Sequence, residues 1–239
     1  MAKRPVFKIG TNIPFFREIN TEFQFFPGFS MAQQKKSMES LHQAYNRLFP
    51  EDKILEVSTR SEAELGTQLS AFNLLFRHQA LPAPVPVENV FQSGKVFEHG
   101  GPYTDLLNKT PREAKKDSRL RESGNLTAFC FMGENFPLEP KTFFYDWIYI
   151  NALNQNPELA EQLVKYQAFT DIAFNPARSV NCQARSCAIF VSLKLSGRLE
   201  QALHSRKNFL ALVYGRPEPE TSAEAQPSAE GKQLSFEDM

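Results

Sequence analysis

Val87-Glu88-Asn89-Val90-Phe91-Gln92-Ser93-Gly94-Lys95 is the most informative stretch of this chain. Together with Val96-Phe97-Glu98 it reads as a helix over 87–98, despite Gly94. On such a helix Glu88, Gln92 and Lys95 stand at i, i+4 and i+7, so a carboxylate, an amide and an amine share one stripe. The neighbours Val87, Val90, Phe91, Val96 and Phe97 are apolar and desolvate part of that stripe. A buried lysine is driven towards its neutral form, which is the form a nucleophile needs. Spacing alone also describes a solvated stripe of polar residues.

Working outward, Pro82, Pro84 and Pro86 punctuate the approach to this segment, and Leu69-Ser70-Ala71-Phe72-Asn73-Leu74 lies just before them. Earlier still, Ser61 with Glu64 three residues on has the form of a capping box opening a helix. Lys53–Ser58 reads as a short strand. Ser30 caps a helix to about Phe49, with Met31, Met38, Leu41, Tyr45 and Leu48 at helical spacing. Residues 1–30 are extended or irregular, broken at Pro14, Pro27 and Gly28. Downstream, Thr110-Pro111-Arg112-Glu113 is a strong helix start, with Thr at the N-cap, Pro at the first helical position and Glu at the third. A helix over Thr142–Asn154 and another opened by Asn156-Pro157-Glu158 follow, the latter with Leu159, Leu163 and Tyr166 on one face. Ala188–Leu193 is apolar enough to be a strand or a buried helix. From Arg216 to Met239 the chain turns to Pro, Glu, Ser, Ala and Gly, a composition that cannot offset the entropy of ordering, so a disordered tail is expected at 216–239.

The balance of 27 Lys+Arg against 27 Asp+Glu excludes a whole-protein basic field, so any affinity for nucleic acid must come from a local patch. No apolar run approaches the length of a membrane span, and no apolar segment follows the N-terminal Met1-Ala2-Lys3-Arg4-Pro5. Cys130, Cys182 and Cys187 lack metal-binding spacing and are odd in number, which fits a reducing cytoplasm. His42, His78, His99 and His204 are scattered, so neither a metal nor another cofactor is expected. Phosphate-binding loops, zinc-protease motifs and nucleophile elbows do not occur. Two further polar-aromatic clusters remain, Ala168–Pro176 around Asp171 and Asn181–Ser186. A basic run, Arg112, Lys115, Lys116, Arg119 and Arg121, suits either a solvated helix face or phosphate contact.

Taken in order, these pieces resemble a family. Ser70-Ala71-Phe72, then Glu88, Gln92 and Lys95, are similar to the signature of the NADAR superfamily, which includes YbiA-like proteins. Thr110–Lys115 with Arg119, then Trp147, then Asn156-Pro157-Glu158-Leu159 with Leu163, resemble its later helices, and Asp171 and Asn181 fall in its last site segments. Gly28-Phe29-Ser30, Leu55–Ser58, Gly66 with Leu69–Leu74, Lys95–Tyr103 and Phe169-Thr170-Asp171 resemble the branch associated with DarT-type toxins. The pattern departs at Asn89, where the family has His, at Ala71, where it has Asn, and at Asn175-Pro176 and Arg185-Ser186, which replace a glycine-rich element.

The resemblance implies a predominantly helical, single-core α+β fold with a few short strands. It implies an N-terminal extension, 1–60, packed on a catalytic domain, 61–215. It implies an antitoxin that removes ADP-ribose from guanine in single-stranded DNA, with free ADP-ribose as product and a DarT-type toxin as its counterpart. Lys95 would be the nucleophile and Glu88 the acid/base. Ser70, Asn73 and Gln92 would hold ribose hydroxyls, Phe72 or Trp147 would stack on a base, Asp171 would bind a hydroxyl or steer water, Asn181 would contact substrate, and Arg119, Lys115 and Lys116 would meet phosphate. Two alternatives stay open: an N-glycosidase of a nucleotide-like metabolite of the riboflavin-pathway type, and a non-catalytic protein that binds ADP-ribose or neutralises a toxin by contact.

Overall fold

The computed structural model describes residues 1–28, 30–177 and 179–216. The tail beyond Arg216, and Phe29 of the Gly28-Phe29-Ser30 element, lie outside the described residues. The chain begins with a hairpin of two eight-residue strands, β1 (Ala2–Ile9) and β2 (Phe16–Phe23). The helix α1 (Met31–Asn46) follows, with Ser30 Oγ accepting from the Gln33 amide as expected of its cap. Its buried face is Ser37, Met38, Leu41 and Tyr45, whereas Met31 and Leu48, at and beyond its ends, are exposed. A short strand β3 (Ile54–Glu56) leads to α2 (Glu64–Gln68). The expected capping box at Ser61 and Glu64 is absent: Ala63 is the N-cap and makes no side-chain cap bond.

Two residues each of β4 (Leu75–Phe76) and β5 (Val85–Pro86) pair and deliver the chain into α3 (Val87–Ser93). Gly94 ends this helix, and Lys95–Phe97 is a strand, β6, rather than the continuation expected to Glu98. The reason is non-local pairing. β6 lies antiparallel to β7 (Leu126–Phe131), Lys95 opposite Phe129, and the Gly94 carbonyl already accepts from the Cys130 amide at 2.7 Å. β8 (Glu134–Phe136) completes this three-stranded sheet.

Between β6 and β7 stand a 3-10 turn over Thr104–Asn108, α4 (Pro111–Lys116) and α5 (Arg119–Glu122). The capping box at Thr110 and Glu113 is present in both directions. α6 (Phe143–Asn154) and α7 (Pro157–Leu163) precede β9 (Ala168–Thr170), and α8 (Gln183–Leu195), α9 (Leu199–Leu203) and α10 (Arg206–Tyr214) close the chain. Ala188–Leu193 is therefore a buried helix. The Asn156 side chain does not cap α7. Its Nδ2 instead donates to the carbonyls of Leu75 and Ala152.

β9 pairs antiparallel with β1 and parallel with β3, giving a four-stranded sheet in the order β2-β1-β9-β3. The fold is α+β, and the first strand is interior to a sheet completed about 160 residues later by β9. The main core joins α3, α6 and α8, and aromatic rings from Phe91, Phe129, Phe136 and Phe144 pack in its middle. Among the described residues no helix is long and apolar enough to cross a membrane.

Gly94 is a tight point of the aromatic packing. A Cβ there would stand 2.8 Å from Phe144 Cζ and 2.9 Å from its Cε1, and Phe144 is itself enclosed, stacked at 4.8 Å on Phe129. Gly94→Ala is expected to cost about 1–3 kcal/mol through overpacking. The midpoint of chemical denaturation checks this, and an unchanged midpoint would contradict the packing described.

Candidate active site

All seven residues of α3 are buried, so Glu88 and Gln92 are polar groups on a core helix, not members of a solvated stripe. No side chain caps the helix start. Its first amides instead find carbonyls in the preceding turn, Val87 N donating to Leu74 O and Glu88 N to Ala71 O, each at 2.9 Å. This is what holds Ser70–Leu74 beside Glu88. Glu88 Oε1 accepts from Gln92 Nε2 at 2.8 Å, the i, i+4 bond that the spacing predicts.

These residues line an open cleft of about 1210 Å³. That exceeds the usual range of about 300–1,000 Å³ for a small-molecule pocket. Lys95 enters it from the first position of β6, with Nζ 4.7 Å from the centre of the Phe91 ring. Although helix becomes strand between them, Lys95 and Glu88 still face one space. Burial pulls the Lys95 pKa down; Glu88 opposes the shift and the Lys115 charge adds to it, leaving the amine at about 8. A sizeable fraction is therefore the free base near neutral pH.

Lys115 is the third charged member. Its Nζ lies 3.5 Å from Glu88 Oε1 and 5.1 Å from the centre of the Phe72 ring. Local sequence explains how it gets there. Asn89, which points away from the cleft, donates through Nδ2 to the carbonyls of Leu106 and Lys109 and so pins the segment before α4. The Thr110 capping box then starts the short helix that ends at Lys115 and Lys116.

The far wall is the end of the four-stranded sheet. Asp171 follows β9, and Gln183 at the start of α8 braces it: Nε2 donates to Asp171 Oδ2 at 3.1 Å and to Val57 O, and Oε1 accepts from Ala71 N at 2.8 Å. Behind Asp171 lies a second carboxylate, Glu56, fully enclosed and accepting from Ser58 Oγ, Thr170 Oγ1 and Ile172 N. Burial raises the Glu56 pKa against those three hydrogen bonds. Burial, and then the Glu56 charge, push Asp171 up to about 7. Since Thr170 Oγ1 gives its proton to Glu56, His42 Nε2 donates to Thr170 at 2.8 Å; burial holds that ring neutral, with its pKa at about 4, so its proton sits on Nε2.

Of the residues expected from sequence, Lys95, Glu88, Gln92, Ser70, Phe72, Asp171 and Asn181 line this cleft. Three lie elsewhere. Asn73 is exposed and its Nδ2 donates to Thr67 O. Trp147 is partly buried and packs edge-on against Phe209, away from the cleft. Arg119 is held by Asp105 and Asp117 and covers the Tyr103 ring, so its charge is spent on bracing the 105–119 loop. Of that basic run, Lys115, four residues earlier, is the residue that lines the cleft, alongside Arg4, Arg60 and Lys141 from other segments. Gln183, from the Asn181–Ser186 cluster, and Tyr145 also line it; the place of Tyr145 was hidden, because it sits in an aromatic-rich helix where every position looks like core.

Comparison with protein families matches residues 2–223 to the DarT1-associated NADAR antitoxin family, and the chain belongs to that family. No curated protein matches the chain.

The Lys95 amine should titrate near pH 8, well below an exposed lysine, and Lys115→Met should move it upward by removing a like charge and freeing Glu88 to favour the ammonium. The pH dependence of acylation at Lys95, read by peptide mass spectrometry, tests this. An ordinary lysine titration in the wild type would contradict it.

Proposed function

We propose that this protein is an N-glycosidase that removes ADP-ribose from guanine in DNA and thereby reverses the action of a DarT-type toxin. The observation that carries the reading is a desolvated amine, Lys95, facing a buried carboxylate, Glu88, in one open cleft. Membership of the antitoxin family supports the choice of substrate.

The neutral Lys95 amine attacks the anomeric carbon as the bond to the guanine exocyclic nitrogen breaks. Glu88 takes the proton that Lys95 loses and passes it to the departing nitrogen. The sugar ring opens, leaving an imine between its first carbon and Lys95 Nζ. Water adds to that carbon with Glu88 as base, the carbon–lysine bond breaks, and ADP-ribose leaves with the lysine restored. The net change is hydrolysis of one carbon–nitrogen bond, divided into steps each easier than the direct displacement.

Gln92 Oε1 and Ser70 Oγ are enclosed and without a hydrogen-bond partner among the described residues, which suits them to ribose hydroxyls. Asn181 Oδ1 is likewise unpaired at the cleft wall. Phe72, under the Lys115 ammonium, offers an aromatic face to a base. Asp171, which lines the cleft, would bind a hydroxyl or direct water. The cleft is open enough for a target base presented by single-stranded or locally unpaired DNA.

A release assay on a single-stranded oligonucleotide bearing ADP-ribosyl-guanine tests the reading. Wild type should liberate free ADP-ribose. Lys95→Ala should abolish release, and Glu88→Gln should slow it by about 10²–10⁴-fold, the usual contribution of a general acid–base group. A folded wild-type protein that releases nothing would overturn the proposal. The acid limb of kcat/KM should fall near pH 8, because protonation of Lys95 removes the nucleophile.

A further inference from the structure

Tyr145 lines the cleft from α6, yet only 6% of its surface is exposed. Its ring is fixed on two sides: it meets the Phe91 ring edge-on at 5.1 Å and stacks on Tyr149 at 5.9 Å. Tyr149 is itself anchored by a hydrogen bond from its hydroxyl to Leu69 O. The Tyr145 hydroxyl is therefore held in one place, and it makes no hydrogen bond to any described residue. The hydroxyl opens onto the cleft, where a ligand group can take the place of water.

The surroundings define what that ligand group must be. Glu88 and Asp171 are the charged groups that act most on Tyr145 from the cleft side, and both are acceptors when ionised. Gln92 Oε1 is an acceptor only, and Ser70 Oγ serves either way. A phenol among these groups keeps its proton, because burial and the nearby carboxylates both resist a phenolate. The wall thus offers one rigid neutral donor beside several acceptors. A pair of neighbouring hydroxyls fits that set, one oxygen accepting from Tyr145 while the hydroxyl hydrogens go to Gln92 and its neighbours.

We propose that Tyr145 is a specificity-determining residue that donates a hydrogen bond to a hydroxyl oxygen of the ribose joined to guanine, so that the cleft reads a vicinal diol. This rests on the glycosidase reading of the cleft and adds to it a requirement for ribose over deoxyribose at that position. DNA's own sugars, which lack the second hydroxyl, would not satisfy the set.

Calorimetric binding of ADP-ribose and of ADP to wild type and Tyr145→Phe tests the proposal. ADP carries the same pyrophosphate and adenosine but no terminal ribose. Tyr145→Phe retains the ring and its packing, so its melting temperature should match wild type. ADP-ribose affinity should fall by about tenfold, the worth of one hydrogen bond, with ADP affinity unchanged. Equal ADP-ribose affinity in the two proteins, or an equal loss for both ligands, would overturn the role of Tyr145. Failure of ADP-ribose to bind the folded wild type would instead overturn the reading of the cleft on which it rests. Ser70→Ala supplies a second variant: the losses from the two substitutions should be confined to ADP-ribose in both cases, and a loss shared with ADP would contradict the shared diol site.

Discussion

Glu88 is a carboxylate placed on a helix with no exposed side, and a charge in that position needs compensation from its neighbours. Gln92, one helical turn on, supplies a hydrogen bond, and the Lys115 ammonium supplies the opposite charge. Much of the surrounding structure can be traced to that need. Asn89 pins the 106–109 carbonyls, Thr110 and Glu113 cap the next helix, and Arg119 ties Asp105 to Asp117, so that α4 carries Lys115 back over the carboxylate. Once Lys115 is there, Lys95 faces a second positive charge in a poorly solvated cleft, and its amine loses its proton more readily. One buried carboxylate thereby conditions both of the amines beside it.

The opposite wall uses a different arrangement for the same problem. Asp171 stands at the end of β9, and Glu56 at the end of β3, the strand paired with it in parallel. Three donors satisfy Glu56, and behind them neutral His42 completes a line of hydrogen bonds through Thr170. Burial raises the pKa of both carboxylates, and Asp171, with Glu56 beside it, is pushed up to about 7. The N-terminal strand β1 lies beside β9 in this sheet, so the first ten residues help to build the wall that carries Asp171.

Much of this was legible in the sequence where the signal is local. The Ser30 cap, the Thr110 capping box and the helix at 142–154 depend on residues within a few positions of one another, and the structure forms them as read. The union of Glu88, Gln92 and Lys95 was legible too, though for a partly mistaken reason. A continuous helix was expected, whereas pairing with β7, some thirty residues on, converts Lys95–Phe97 to a strand. The misplacements also arise from tertiary contacts. Arg119 looked like a phosphate ligand because two aspartates that neutralise it, Asp105 and Asp117, do not announce themselves as its partners. Trp147 and Tyr145 lie two positions apart on one aromatic helix, and only packing decides which of them reaches the cleft.

The central claim is that Lys95 forms a covalent bond to the sugar during turnover. Cyanoborohydride reduction during reaction with ADP-ribosylated single-stranded DNA, followed by peptide mapping, tests it most directly. The account predicts a stable adduct with the mass of reduced ADP-ribose on the peptide containing Lys95, absent from Lys95→Ala. Turnover by wild type with no adduct on that peptide, or an adduct that persists on another lysine in Lys95→Ala with activity retained, would contradict it.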